Sequence, residues 1–146
     1  MSNVCTNRKA YHDYEVIETI EAGIKLVGTE LKPLRDHKVS LEGSYATVEK
    51  GELWLINCSI EPQKLIDEIF NHQSQRKRKL LLNKHEIRKF AAKAEQRGNT
   101  LIPLKIYFKN GKAKVELAIC RGKKEHDKRN KLKTDSMKRE IRQEFK

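Results

Sequence analysis

Arg121, Lys123, Lys124, Lys128 and Arg129 place five cations within nine residues, with His126-Asp127 set among them. Cations at this density neutralise a polyanion such as a phosphate backbone, and an imidazole in such a run stacks on a base or bonds a phosphate. A second cluster, Asn7-Arg8-Lys9-Ala10-Tyr11-His12-Asp13, again sets histidine beside tyrosine and aspartate in a basic context. The third follows from a turn. Asn110-Gly111 suits a two-residue type I′ hairpin, in which both positions need φ > 0. Turning the chain there sets Tyr107 opposite Lys114 and Lys105 opposite Glu116. RNA binding needs charge for phosphates, flat groups for bases, and hydrogen-bonding side chains for base edges and 2′-hydroxyls. The three clusters supply all of these.

The same residues admit other chemistry. Two histidines and a lysine are enough for acid–base cleavage of a phosphodiester, so a histidine-dependent ribonuclease stays open beside an RNA-binding module. Metal-ligand spacing, a Gly-rich phosphate loop and a nucleophile elbow are missing from the sequence, so no metal or cofactor is expected and an enzyme ranks below a binding protein. A ribosome-associated basic protein or RNA chaperone, and a binder of membrane surfaces or acidic proteins, remain as further alternatives. The chain has 146 residues, a net charge of +12, 37% hydrophobic and 36% charged residues. Half of the excess charge lies in residues 121–146, where eleven Lys or Arg face five Asp or Glu. No run approaches the roughly eighteen apolar residues of a membrane span, and the N-terminus lacks the apolar core of a signal peptide. Cys5, Cys58 and Cys120 are odd in number and show no CxxC spacing, which suits free thiols in a reducing cytoplasm. A monomer is expected.

The elements that must hold these clusters read mainly as β. In the hairpin Ile102/Ile119, Leu104/Leu117 and Ile106/Val115 form one apolar face, and the opposite face is polar. A second hairpin turns at Lys50-Gly51, pairing Val48 with Leu53 and Ala46 with Leu55, with Thr47 and Trp54 on the other face. Tyr14–Val27 is β-rich, with Gly23 as a bend or bulge. A short helix follows from Gly28 to about His37, capped by Thr29. The segment 61–75 is irregular, with traces of helical periodicity. Arg76–Lys79 is expected to be a solvated loop before the apolar triplet Leu80–Leu82. Asn83–Arg97 is the firmest helix: Ile87, Phe90, Ala91 and Ala94 share a face, Asn83 and Glu86 form a capping box, and Gly98 stops it. Residues 1–13 are expected to order only against a partner. Together these give a mainly β (α+β) domain, an OB-fold-like antiparallel barrel with about three flanking helices over 1–129. A basic tail over 130–146 is expected to be disordered when free.

Eight stretches also carry a resemblance. Asn7-Arg-Lys-Ala-Tyr-His-Asp-Tyr14, Glu21-Ala-Gly-Ile24, Gly28-Thr-Glu-Leu-Lys-Pro-Leu-Arg35, Ser44-Tyr45, Ile69-Phe-Asn-His72, Arg78-Lys-Leu-Leu-Leu-Asn83, Tyr107-Phe-Lys-Asn-Gly111 and Gly122-Lys-Lys-Glu-His-Asp-Lys-Arg129 stand at the spacing of one family. The chain resembles SmpB, the bacterial family that partners transfer-messenger RNA (tmRNA) in rescue of stalled ribosomes by trans-translation. The resemblance implies a barrel that grips the tRNA-like domain of tmRNA and stands in for its missing anticodon arm. Asn7, Glu21, Leu81 and Lys114 match tmRNA contacts. Gly122, Lys123, Lys124, His126, Asp127, Lys128 and Arg129 match a motif at the decoding region of the small ribosomal subunit, where His126 stacks on ribosomal RNA. With His12, Asn83 and Tyr107 they complete the expected RNA-binding set. Lys131, Lys133, Lys138, Arg139, Ile141 and Arg142 are the tail positions expected in the empty mRNA channel. Elongation factor Tu and alanyl-tRNA synthetase are implied as indirect partners, and no catalysis is implied. Tyr11 and Gln73-Ser74 depart from the family's usual arginine and Asp-Pro.

Overall fold

The computed structural model describes residues 2–96 and 98–122 of the chain. Its elements run β1 (Ser2–Thr6), α1 (Arg8–Asp13), β2 (Tyr14–Ile24), α2 (Gly28–Arg35), β3 (Val39–Ser40), β4 (Tyr45–Glu49), β5 (Glu52–Ile56), β6 (Ser59–Ile60), β7 (Arg78–Leu81), α3 (Lys84–Ala94), β8 (Asn99–Lys109) and β9 (Lys112–Gly122). Both hairpin turns form where the turn residues place them. Asn110 and Gly111 sit at φ 53° and 75°, and Lys50 and Gly51 at 52° and 77°, the left-handed values a type I′ turn requires. The β4–β5 register pairs Val48 with Leu53, Ala46 with Leu55 and Thr47 with Trp54.

All pairings are antiparallel: seven strands run in the order β1-β8-β4-β5-β7-β2-β9, a further β8–β9 pairing closes this sheet into a ring, and β3 and β6 form a separate two-stranded sheet. One edge of β8 is fully used by β9. Its other edge is divided: Ala46 of β4 pairs with Leu101, and β1 pairs with Lys105 to Phe108. Closure of this kind removes exposed strand edges. The interior is filled by alternate residues of the strands, among them Ala22, Leu53, Leu55, Leu80, Ile106, Val115, Leu117 and Ile119, with Leu34 of α2 and Ile87 and Phe90 of α3. Cys58 is part of this core, and burial pushes its thiol up to about 12.

The long hairpin departs from simple alternation. Tyr107 pairs with Lys114, Ile106 with Val115 and Lys105 with Glu116, but a bulge between Pro103 and Lys105 shifts the register, so that Leu101 rather than Ile102 meets Ile119. An extra residue in one strand exchanges its two faces. Ile102 and Leu104 therefore point out of the barrel, where they form a second apolar cluster with Ala118, Cys120 and Ala10 of α1, flanked by Tyr14. The outer face is polar only toward the turn, and its other half is core beneath α1.

Residues 2–13 are ordered without a partner, as β1 on the edge of β8 and as α1. The cap of α2 is Val27, whose N–H donates to Glu30 Oε1 at 2.9 Å, and Thr29 lies inside the helix. Gly23 is a regular strand position paired with Leu81 and Lys114; the irregularity of β2 falls between Val16 and Glu18. The segment 61–75 consists of turns, and Leu65, Ile69 and Phe70 are exposed. Arg76–Lys79 is not a solvated loop. Arg78 begins β7 with its side chain completely buried, donating from Nε to Glu30 Oε2 at 2.5 Å and from its terminal nitrogens to the carbonyls of Cys58, Arg76 and Ser74. Arg76 reaches Glu30 Oε1 at 2.6 Å. A guanidinium in the core requires such a full set of partners, because an unpaired buried charge is strongly unfavourable. The 129/130 boundary and the tail lie outside the described residues.

Candidate nucleic-acid interface

Period-two alternation places every second side chain of the sheet on the outside. On β7, Leu80 turns into the core and Leu81 outward, 48% exposed. Strand pairing then carries one outward row across five strands: Leu81 beside Gly23, Gly23 beside Lys114, Lys114 beside Tyr107, and Tyr107 beside Asn3. A neighbouring row runs Glu21, Glu116, Lys105 and Thr6. Leu81, Lys114, Glu21 and Tyr107 thus form one continuous surface. Gly23 lets Leu81 pack close, since a Cβ at this position would stand a tight 3.2 Å from Cβ of Leu81. The leucine lies directly over the glycine backbone.

Tyr107 is on this outer face but only 7% exposed, so its ring is not an open stacking platform. Its hydroxyl donates to Glu21 Oε2 at 2.6 Å, and Lys109 Nζ stands 3.5 Å from the same oxygen. The hydrogen bond from Tyr107, then the charges of Lys109 and Lys114, hold the Glu21 carboxyl below its ordinary value, against the opposing effect of desolvation. Desolvation and the bond to this anion raise the Tyr107 phenol. Glu116 faces Glu21 directly across β2–β9, and Lys105 lies 3.9 Å from it. Glu21, Tyr107, Glu116 and Lys105, with Asn3, Thr19 and Ile20, line a cleft of about 400 Å³. The surface is therefore a mixed one: lysines suited to phosphates around two ionised acceptors suited to N–H and O–H donors.

The other expected contacts lie elsewhere. Asn7 is buried, and its polar groups are engaged within the protein. Its Oδ1 accepts from Ala10 N at 3.2 Å, and its Nδ2 donates to the carbonyls of Pro103 at 3.0 Å and Leu41 at 3.2 Å. It fastens α1 to the barrel and presents no free group outward. His12 is exposed beside Asp13, with Nδ1 2.9 Å from Oδ1. Asn83 is exposed and caps α3, accepting from Glu86 N at 2.8 Å, with Glu86 completing the box. Gly122 ends β9 opposite Tyr14. Lys123, Lys124, His126, Asp127, Lys128, Arg129 and the tail positions Lys131, Lys133, Lys138, Arg139, Ile141 and Arg142 lie outside the described residues. Asn3 and Gly23 join the surface without being among the site residues expected from sequence, although a glycine inside a strand pattern is the signal of a close approach. Among the described residues no group of His, Cys, Asp or Glu could hold a metal ion, and no helix is long and apolar enough to cross a membrane.

Comparison with known proteins adds three findings. A family model described as SmpB protein matches residues 4–146. Proteins named SsrA-binding protein are similar to the chain: one from Sulfurihydrogenibium sp. is 50% identical over 143 residues, 98% of this chain and 93% of the relative. Another, from Caldicellulosiruptor bescii, is 53% identical over 143 residues, 98% of this chain and 90% of the relative. A solved structure described as "tmRNA-SmpB: a journey to the center of the bacterial ribosome" contains a similar chain, 55% identical with a TM-score of 0.70, covering 82% of this chain and 84% of that one.

Proposed function

Because the chain belongs to the SmpB family, we propose that it binds the tRNA-like domain of tmRNA and brings it to stalled ribosomes for trans-translation. It acts by binding, with no reaction of its own. The observation that carries this reading is the continuous outer surface of Leu81, Gly23, Lys114 and Glu21 across β7, β2 and β9. An apolar side chain, an acceptor and a cation there meet a base, a donor edge and a phosphate of one folded RNA. In this surface Tyr107 acts through Glu21 rather than by stacking, and Asn7 acts by holding α1 in place.

Gly122 to Arg129 contact the decoding region of the small subunit, with His126 on ribosomal RNA, and residues 130–146 enter the empty mRNA channel. These roles, the part of elongation factor Tu and alanyl-tRNA synthetase in delivery, the monomeric state and the cytoplasmic location rest on the family likeness and the charge of the sequence. Purified full-length chain used as bait in bacterial lysate, with sequencing of the retained RNA, tests the reading. tmRNA should dominate; enrichment of ribosomal or messenger RNA without it would favour a general RNA chaperone instead.

A further inference from the structure

The segment 61–75 is built inside out. His72 is buried, with Nε2 2.9 Å from the Ile60 carbonyl oxygen and Nδ1 2.9 Å from the Thr29 hydroxyl. Asn71 donates to the Gln63 carbonyl at 2.7 Å and accepts from the His72 N–H at 3.1 Å, and Gln63 donates to the Thr29 carbonyl at 2.8 Å. Polar side chains thus turn inward and fasten the segment to the start of α2. Apolar ones are left outside: Leu65 is fully exposed, Ile69 85% and Phe70 74%. Val27 and Leu31, one helical turn apart at the start of α2, are exposed as well. Val27, Ile69 and Phe70 line a common cleft of about 540 Å³. Large apolar side chains held together on a surface mark a docking site, unlike single exposed ones.

The charge around the patch indicates what covers it. In a chain of net +12, residues 61–70 carry Glu61, Asp67 and Glu68 against Lys64 alone. Among the described residues none of these three carboxylates has an ion-pair partner. Phosphates are repelled here, and two copies meeting patch to patch would set like charges together. A basic amphipathic segment fits, and the chain carries one. Residues 130–146 hold six Lys or Arg against three Asp or Glu, with Met137, Ile141 and Phe145 four residues apart, a spacing that puts all three on one face of a helix. The segment also reaches the patch. Residues 123–136 extend to roughly 45 Å at the rise of a strand, whereas β9 covers roughly 27 Å from Gly122 back to Lys114, which pairs with Gly23 near the α2 end of β2. We propose that residues 132–145 fold back on the Leu65–Ile69–Phe70 patch as an amphipathic helix, with Met137, Ile141 and Phe145 against its apolar side chains and the tail's cations against Asp67 and Glu68. A tethered partner meets the patch at an effective concentration of about 1 mM, so a contact with a dissociation constant of about 0.1 mM is mostly closed. The free tail is then held, although its composition alone suggests disorder. On the reading that this tail serves an empty mRNA channel, patch and channel compete for it.

The test uses the full-length chain with a nitroxide attached at Ser136→Cys in a Cys5→Ser background; Cys58 and Cys120 are fully buried and stay unlabelled. The nitroxide should broaden the backbone amide signals of residues 64–71 more strongly than those of any other segment of the barrel. Phe70→Asp, an exposed change that leaves the core alone, should weaken the docking equilibrium on the order of tenfold, the loss expected on withdrawing one large apolar side chain. Ile141→Asp, made on the tail, should do the same. Asp67→Lys, which touches only the charge, should weaken it by a smaller factor. Broadening spread evenly over the barrel, or unchanged in both Phe70→Asp and Ile141→Asp, overturns the proposal. So does broadening that appears only when nitroxide-bearing chain is mixed with separate isotope-labelled chain, which would assign the patch to a second copy. No RNA is present in the measurement, so its outcome and that of the tmRNA pull-down are read apart.

Discussion

A carboxylate serves an RNA-binding surface only while it is ionised and aimed. Tyr107 and Lys109 do both for Glu21, holding one oxygen and keeping the carboxyl below its ordinary value. The like charges of Glu21 and Glu116 can stand side by side because Lys109 flanks the first and Lys105 the second. A depressed folded-state value means that the ionised carboxylate is favoured above the ordinary value and protonated as pH falls through the lowered one. Tyr107→Phe removes the hydroxyl and keeps the ring, so Glu21 should titrate at higher pH, read by carboxyl carbon NMR. The acid limb of RNA binding should move the same way, with Lys109, Lys114, Glu116 and Lys105 unchanged around it. Lys114→Ala should weaken binding to the tRNA-like domain by about 1–3 kcal/mol, the worth of one charge-assisted contact, as measured by filter binding. The outward Lys114 was legible from the hairpin register alone, whereas Leu81, inside an apolar triplet that reads as core, was singled out only by the family resemblance. The burial of Tyr107 was not, because its partner lies 86 residues away in the chain.

At the scale of elements, local rules gave the two hairpins and the α3 capping box, since turn and cap chemistry act over a few residues. The bulge at Pro103 was not legible. It arises where two strands far apart in sequence, β1 and β4, share one edge of β8, and Pro103 has no N–H to offer there. Asn7 bridges that gap through the Pro103 carbonyl and, by its own N–H, the Leu104 carbonyl at 2.8 Å. Asn7→Ala should therefore destabilise the fold by about 1–3 kcal/mol, as unsatisfied buried groups do, measured by urea unfolding. The basic run 76–79 misled for a related reason, because the anion that buries Arg78 is on α2. Burial alone would raise the Glu30 carboxyl, but hydrogen bonds from Arg76, the Val27 N–H and Arg78 lower it further than burial raises it. Its stabilisation is thus present above the ordinary carboxylate value of 4.5 and lost as pH falls through the depressed one. Glu30→Gln leaves Arg78 buried without a counter-charge and should cost about 3–5 kcal/mol at neutral pH, again by urea unfolding.

Over the whole molecule, a charge of +12 predicts binding that falls linearly with the logarithm of salt, each neutralised phosphate adding roughly 0.7–0.9 to the slope. A titration of affinity against potassium chloride measures it. Deleting 130–146 should leave affinity for the tRNA-like domain nearly intact while abolishing tagging on stalled ribosomes, read in a reconstituted translation assay. The ring itself is uneven. β2 and β9 are joined along almost their full length, whereas β4 meets β8 in a single registered pair, Ala46 with Leu101. The single rung is the thinnest seam of the ring, so deuterium should reach the amides flanking it long before those of the β2–β9 pair. Tyr45 and Thr100, the neighbours of Ala46 and Leu101, border a cleft of about 390 Å³ beside α1, so each brief parting of the rung would widen or narrow it.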